Sequence, residues 1–205
     1  MDTTTVAAFL AVDLLLVFTP GADWAYAISA GLSDRSLVPA VAGLIAGYAG
    51  YTLLALAGLV VIVASSATVL TTLTIAGAAY LMWLGRGVLR RPPIVGTSSE
   101  AMASSRGQIM LKGAGISGLN PKALLLYFSL FPQFIDPAVD WPVAAQTGLL
   151  GALHMTACAL VYLAVGMLAR SVLKTRPSAA GAVIRVSGAM MIAIGGFLLV
   201  ERLAG

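Results

Sequence analysis

The sequence predicts an all-helical integral membrane protein, and three observations carry that prediction. The 205-residue chain is 60% hydrophobic and 10% charged, with a mean hydropathy of +0.97; soluble domains are roughly half apolar and about a quarter charged. Its apolar runs are long and unbroken, without the alternation of a barrel strand. Only helices and closed barrels satisfy every backbone polar group in lipid, so the helix is the architecture that fits. The only long polar stretch is 90–108.

A span needs about 20 mostly apolar residues, and six candidates follow: 4–31, 37–64, 67–89, 109–135, 142–170 and 179–202. The first opens MDTTTVAAFL, with no Lys or Arg ahead of its apolar run. It lacks the basic n-region of a cleaved signal peptide and is expected to stay in the membrane. The second holds GLIAGYAG, whose Gly43 and Gly47 form a GxxxG pair suited to close helix contact. The third holds GAAYLMWLG, with Gly77 and Gly85. RRPPIVGTSSEAMASSRGQ (90–108) reads as a linker and divides the chain into three-helix units at 1–89 and 109–205. The fourth span carries SGLNPKALLLYF, and the fifth begins beyond Trp141, an interfacial anchor by type and place. That fifth span bears Gly148, Gly151 and, in ALHMTACAL, His154. The sixth repeats the glycine spacing of the third at Gly188 and Gly196.

Ten of the twelve basic residues fall on alternate connections: Arg35; Arg86, Arg90, Arg91, Arg106 and Lys112; Arg170, Lys174, Arg176 and Arg185. By the positive-inside rule those connections are cytoplasmic and both termini lie outside. The second unit then starts from the opposite face, so the units are expected to be inverted repeats. The pI near 9.5 becomes an orientation signal with an anionic-lipid contact, and nucleic-acid binding gains no support. One Cys (Cys158) excludes an internal disulfide, a CxxC pair and a cysteine zinc site, and one His (His154) excludes a histidine cluster for a transition metal. No metal or cofactor is expected.

Asp13, Asp23 and Lys122 fall inside spans one and four, each at about 2.5–3.5 kcal/mol near a helix centre. That cost calls for partners or a wet cavity. Pro20-Gly21 and Asn120-Pro121 interrupt the same two spans. Pro favours the first turn of the helix that follows it, so each break is expected to open a half-helix at membrane depth. Asn120 suits the N-cap and Asp23 a first turn. Lys122 suits its place badly, since a cation opposes the dipole there. An aspartate, or a carboxylate that comes and goes, is its expected partner. The structural alternatives are a capping acid at Asp23, a fixed ion pair at Lys122 and a groove-facing Asp13. His154 reads as a hydrogen-bonded packing residue ahead of a proton relay, and Tyr48, Tyr51, Tyr80 and Tyr127 as packing residues of which one or two line a pocket.

FTPGADWAYAISAGL, GLIAGYAGYTLLALAGL, GAAYLMWLGRGVLR and GLNPKALLLYFSLFPQF together resemble the LysE/RhtB family of amino-acid exporters (lysine, threonine and homoserine efflux type) over residues 10–200. Ala22 and Ser36 depart from the family's usual Pro and Gly; neither change removes a polar group. The resemblance implies a secondary transporter of the bacterial inner membrane, not an enzyme, exporting amino acids or related metabolites in antiport with protons. It carries Pro20, Gly21, Asp23, Asn120, Pro121 and Lys122 onto the substrate site. A zwitterion needs an anion for its ammonium, supplied by Asp23, and donors for its carboxylate, supplied near Asn120 and Lys122. One lysine against two aspartates leaves an excess negative charge that a proton neutralises, at Asp13 or Asp23. A passive pore lined by the same residues is the competing reading. An enzyme is disfavoured because no span pairs a nucleophile with a base at workable spacing. The substrate stays open between basic and neutral amino acids, and the glycine-rich faces leave a homodimer open.

Overall fold

A computed structural model describes residues 1–32, 36–58, 66–90 and 105–173, together with scattered positions between 182 and 200. Most of the 90–108 linker and half of the sixth candidate span, with Arg35 and the surroundings of Gly77 and Tyr80, lie outside the described residues. The described elements are helical. Helix α1 (Thr3–Phe18) starts at Asp2, whose Oδ1 accepts from the Thr5 amide at 2.6 Å, and stops at Thr19-Pro20-Gly21. Helix α2 (Ala22–Gly31) follows at a bend of 60°. Helices α3 (Leu37–Leu56) and α4 (Ala67–Arg90) follow in the first half.

Beyond the linker, α5 (Arg106–Gly118) opens on a reciprocal capping box between Ser105 and Gln108. It ends just before Asn120, and α6 (Pro121–Leu125) begins with Pro at its first turn. The helix then widens into a π turn over Leu126–Leu130 and closes as a 3-10 turn over Phe131–Phe134. Pro132 has no N–H for the carbonyl four residues back, which accounts for the lost α register; Gln133 Nε2 caps Ser129 O at 2.7 Å. Helix α7 (Val143–Leu168) is the longest described and runs into a π turn at Ala169–Leu173.

The exterior is apolar, and the apolar interior encloses a set of polar and charged groups. Leu15, Leu53, Leu111 and Leu160 are two-thirds or so exposed, whereas Asp13, Asp23, Lys122 and His154 are buried. A water-soluble fold sorts these types the other way, so the surroundings of this chain are lipid. Leu37–Leu56 and Val143–Ser171 are each long and apolar enough to cross a bilayer, and the bent α1–α2 pair qualifies if taken as one span.

Glycine allows the closest contacts. A methyl on Gly43 or Gly47 of α3 would collide with the Met110 carbonyl or the Ser117 hydroxyl of α5, so these helices touch backbone to backbone. Ser117 Oγ then donates to Leu44 O (2.7 Å), and Tyr51 OH to Gly118 O (2.7 Å). Gly31 meets Gly166 between α2 and α7. Against α4, Gly188 faces the Gly85 carbonyl, but it is Gly195 rather than Gly196 that meets Ala78.

Candidate functional site

The two chain breaks meet. Asn120 is the N-cap of α6, its Oδ1 accepting the Lys122 amide at 3.0 Å, and its Nδ2 donates at 2.7 Å to Asp23 Oδ2 in the first turn of α2. Tyr48 OH donates to the same oxygen at 2.6 Å, and Tyr162 OH stands 3.4 Å from it and 3.2 Å from Tyr48 OH. The other oxygen, Asp23 Oδ1, is buried without a hydrogen-bond partner.

Lys122 does not pair with an aspartate among the described residues. Its Nζ donates to Leu16 O (3.1 Å) and Thr19 O (3.0 Å) at the end of α1. Pro20 accounts for this placement. Pro20 supplies no amide to the carbonyl four residues back, and the end of α1 carries the negative pole of its dipole. A cation misplaced at the start of α6 is therefore well placed at the end of α1. The neighbouring Val17 carbonyl takes the Trp24 indole N–H at 2.8 Å, and Thr19 Oγ1 bonds Leu15 O at 2.6 Å.

Asp13 lies apart from Lys122's ammonium group and meets His154 of α7, Oδ1 to Nδ1 at 2.7 Å; Asp13 Oδ2 is buried and unpartnered. Cys158 Sγ is 3.5 Å from His154 Nε2 and 3.6 Å from Tyr162 OH. Between these groups lies a cavity of about 10 Å³, lined among others by Leu16, Tyr48, Lys122, His154 and Tyr162, with room for about one water.

Asp23, Asn120 and Lys122 thus come together around the two breaks formed at Pro20-Gly21 and Pro121, while Asp13 sits on the His154 side of the cavity. Tyr48 is a ligand of Asp23 rather than plain packing, and Tyr162 escaped the sequence reading. Its signal was there: His154, Cys158 and Tyr162 recur every four residues, a single stripe on one helix face.

An apolar exterior around a core of two acids, an amine and an imidazole defines a helical membrane protein with a buried polar site. The profile of the LysE type translocator family matches residues 14–202, and the chain belongs to that family, whose members are transporters and not enzymes. An uncharacterized membrane protein of Vibrio cholerae is 36% identical over 146 residues, 69% of this chain and 71% of that one. A homoserine/homoserine lactone efflux protein of Salmonella typhimurium is 32% identical over 146 residues, 70% of each chain. A leucine efflux protein of Klebsiella pneumoniae is 29% identical over 135 residues, 64% of each. No solved structure matches the chain.

Proposed function

We propose that this chain exports amino acids or related small metabolites across the bacterial inner membrane as a proton-coupled secondary transporter. Relatives named for homoserine and leucine efflux support the substrate class. Asp23 supports the site: a buried carboxylate at the meeting of two helix breaks, with one oxygen held by Tyr48 and Asn120 and the other without a partner. The substrate ammonium takes that second oxygen. The amides of Lys122, Ala123 and Leu124 are already bonded to Asn120, so the substrate carboxylate takes the Lys122 ammonium, drawn from its carbonyls. Pro20, Gly21 and Pro121 hold the breaks open. The cavity holds about one water, so binding requires α1 and α6 to part, the gated movement expected of an alternating-access carrier.

In this reading residues 1–89 and 109–205 are inverted three-helix repeats joined by a cytoplasmic linker at 90–108, giving six spans, the first and fourth interrupted, and both termini outside. The test is counterflow of labelled homoserine and leucine in proteoliposomes. Asp23→Asn and Lys122→Ala are expected to lower it at least tenfold; wild-type rates in both would refute the site.

A further inference from the structure

We infer that Asp13 and His154 together are the proton carrier of this protein, distinct from the Asp23 carboxylate that receives the substrate. The inference rests on the proton-coupled reading above and adds the residue that carries the coupling. Asp13 reaches His154 across α1 and α7, Oδ1 to Nδ1 at 2.7 Å, with both side chains buried. A pair serving only to hold two helices together would have its remaining polar atoms satisfied. Here Asp13 Oδ2 is buried with no partner, and among the described residues the distal imidazole nitrogen faces only the weak hydrogen-bonding sulfur of Cys158 at 3.5 Å. One proton therefore has two places to bind, the bare carboxylate oxygen or Nε2.

The proton count is simple. Unloaded, the dyad holds a carboxylate and a neutral imidazole whose Nδ1–H donates to Asp13, a net charge of minus one. Taking up one proton from outside brings it to zero, and releasing that proton inside restores it; only one O–H or N–H bond forms and breaks.

The dyad also has a route to the substrate site. The His154 ring stands edge-on to Tyr48, centroids 4.6 Å apart, and Tyr48 donates to Asp23. His154, Tyr48 and Lys122 line one cavity. A second line runs through Cys158 and Tyr162 to the same Asp23 oxygen. The titratable groups around the imidazole are Asp13 from α1, Asp23 from α2 through these tyrosines, Tyr48 from α3, Lys122 and Tyr127 from α6 and its π turn, and Cys158 and Tyr162 from α7. Among them Lys122 and Asp23 offset each other, so the dyad proton decides the net charge that a zwitterion meets.

The test uses purified protein in proteoliposomes with labelled homoserine and leucine. Counterflow at equal pH moves no net proton, whereas accumulation under an imposed pH gradient requires it. Asp13→Asn should keep counterflow within about threefold of wild type, and both Asp13→Asn and His154→Gln should lose at least tenfold of the pH-driven accumulation. Wild-type accumulation in either variant overturns the inference, as does loss of both activities in step by a folded Asp13→Asn protein. Wild-type protein that shows counterflow without pH-driven accumulation refutes proton coupling itself; neither activity refutes transport. A second readout needs no variant. His154 is the only histidine, so imidazole 15N resonances of histidine-labelled protein report on the dyad directly. They should move on adding the transported amino acid, and resonances that stay fixed at saturation would overturn the inference.

Discussion

The ammonium of Lys122 donates at 3.1 Å to the carbonyl of Leu16, the acceptor for which Pro20, four residues on, has no N–H. Thr19 N reaches that carbonyl with a tighter 3-10 bond, and Lys122 fills the remaining capacity and also donates to Thr19 O. A residue of the second half thus repairs the break in the first. Lys122→Met strands these acceptors away from water, and hydrogen bonds to charged groups contribute about 1.5–3 kcal/mol. The variant should lose about 3 kcal/mol of stability in detergent. Pro20→Ala restores an amide near Leu16 O, so the double variant should recover about 1 kcal/mol relative to additivity. Unfolding titrations of the four proteins form the cycle; strict additivity would disprove the repair.

Tyr48 and Tyr162 approach the same Asp23 oxygen at unequal distances, 2.6 and 3.4 Å. A short bond to a charged acceptor is the stronger. Tyr48→Phe should lower homoserine and leucine counterflow by about tenfold or more, roughly the 1.5 kcal/mol that such a bond is worth. Tyr162→Phe should cost no more than about threefold. Equal losses would mean that the two hydroxyls share the work through their 3.2 Å contact.

What could be read from the sequence divides by range. Asn120, Pro121 and Asp23 were legible because caps, breakers and first-turn acids act within a few residues of themselves. The glycine contact of α3 was legible for the same reason: Gly43 and Gly47 lie on one face whatever that face meets. The partners across the bundle were not. Asp13 and His154 are 141 positions apart, and nothing local sets how α1 and α7 rotate towards each other. Lys122 was misread for a different reason. A charge in the sequence points to an opposite charge, whereas a proline break also creates carbonyl acceptors, which carry no mark in the sequence.

Gly43 and Gly50 sit on the same helix with opposite surroundings. An added methyl at Gly43 would strike the Met110 backbone, which cannot swing aside, whereas nothing lies within 4 Å of one at Gly50. Gly43→Ala should therefore lower stability by about 1–3 kcal/mol, the usual cost of overpacking. Gly50→Ala should be neutral or slightly stabilising, since Ala is the better helix former by up to about 1 kcal/mol. Thermal unfolding in one detergent measures both, and a Gly43→Ala protein as stable as wild type would mean that α3 and α5 are not in backbone contact.

Gln146 holds the loop between the π-containing segment and α7. Its amide donates to Asp136 O (2.8 Å) and Trp141 O (2.9 Å), and its oxygen accepts from Asp136 N (3.0 Å). The side chain is 1% exposed, so no water replaces these bonds if they are lost. Gln146→Met keeps the length and removes all three, leaving loop groups unsatisfied at about 1–3 kcal/mol. The expected result is faster protease cleavage between residues 135 and 142, with α7 still intact, because the loop opens locally before the bundle does. Cleavage at the wild-type rate would show that Gln146 is not what holds this loop in place.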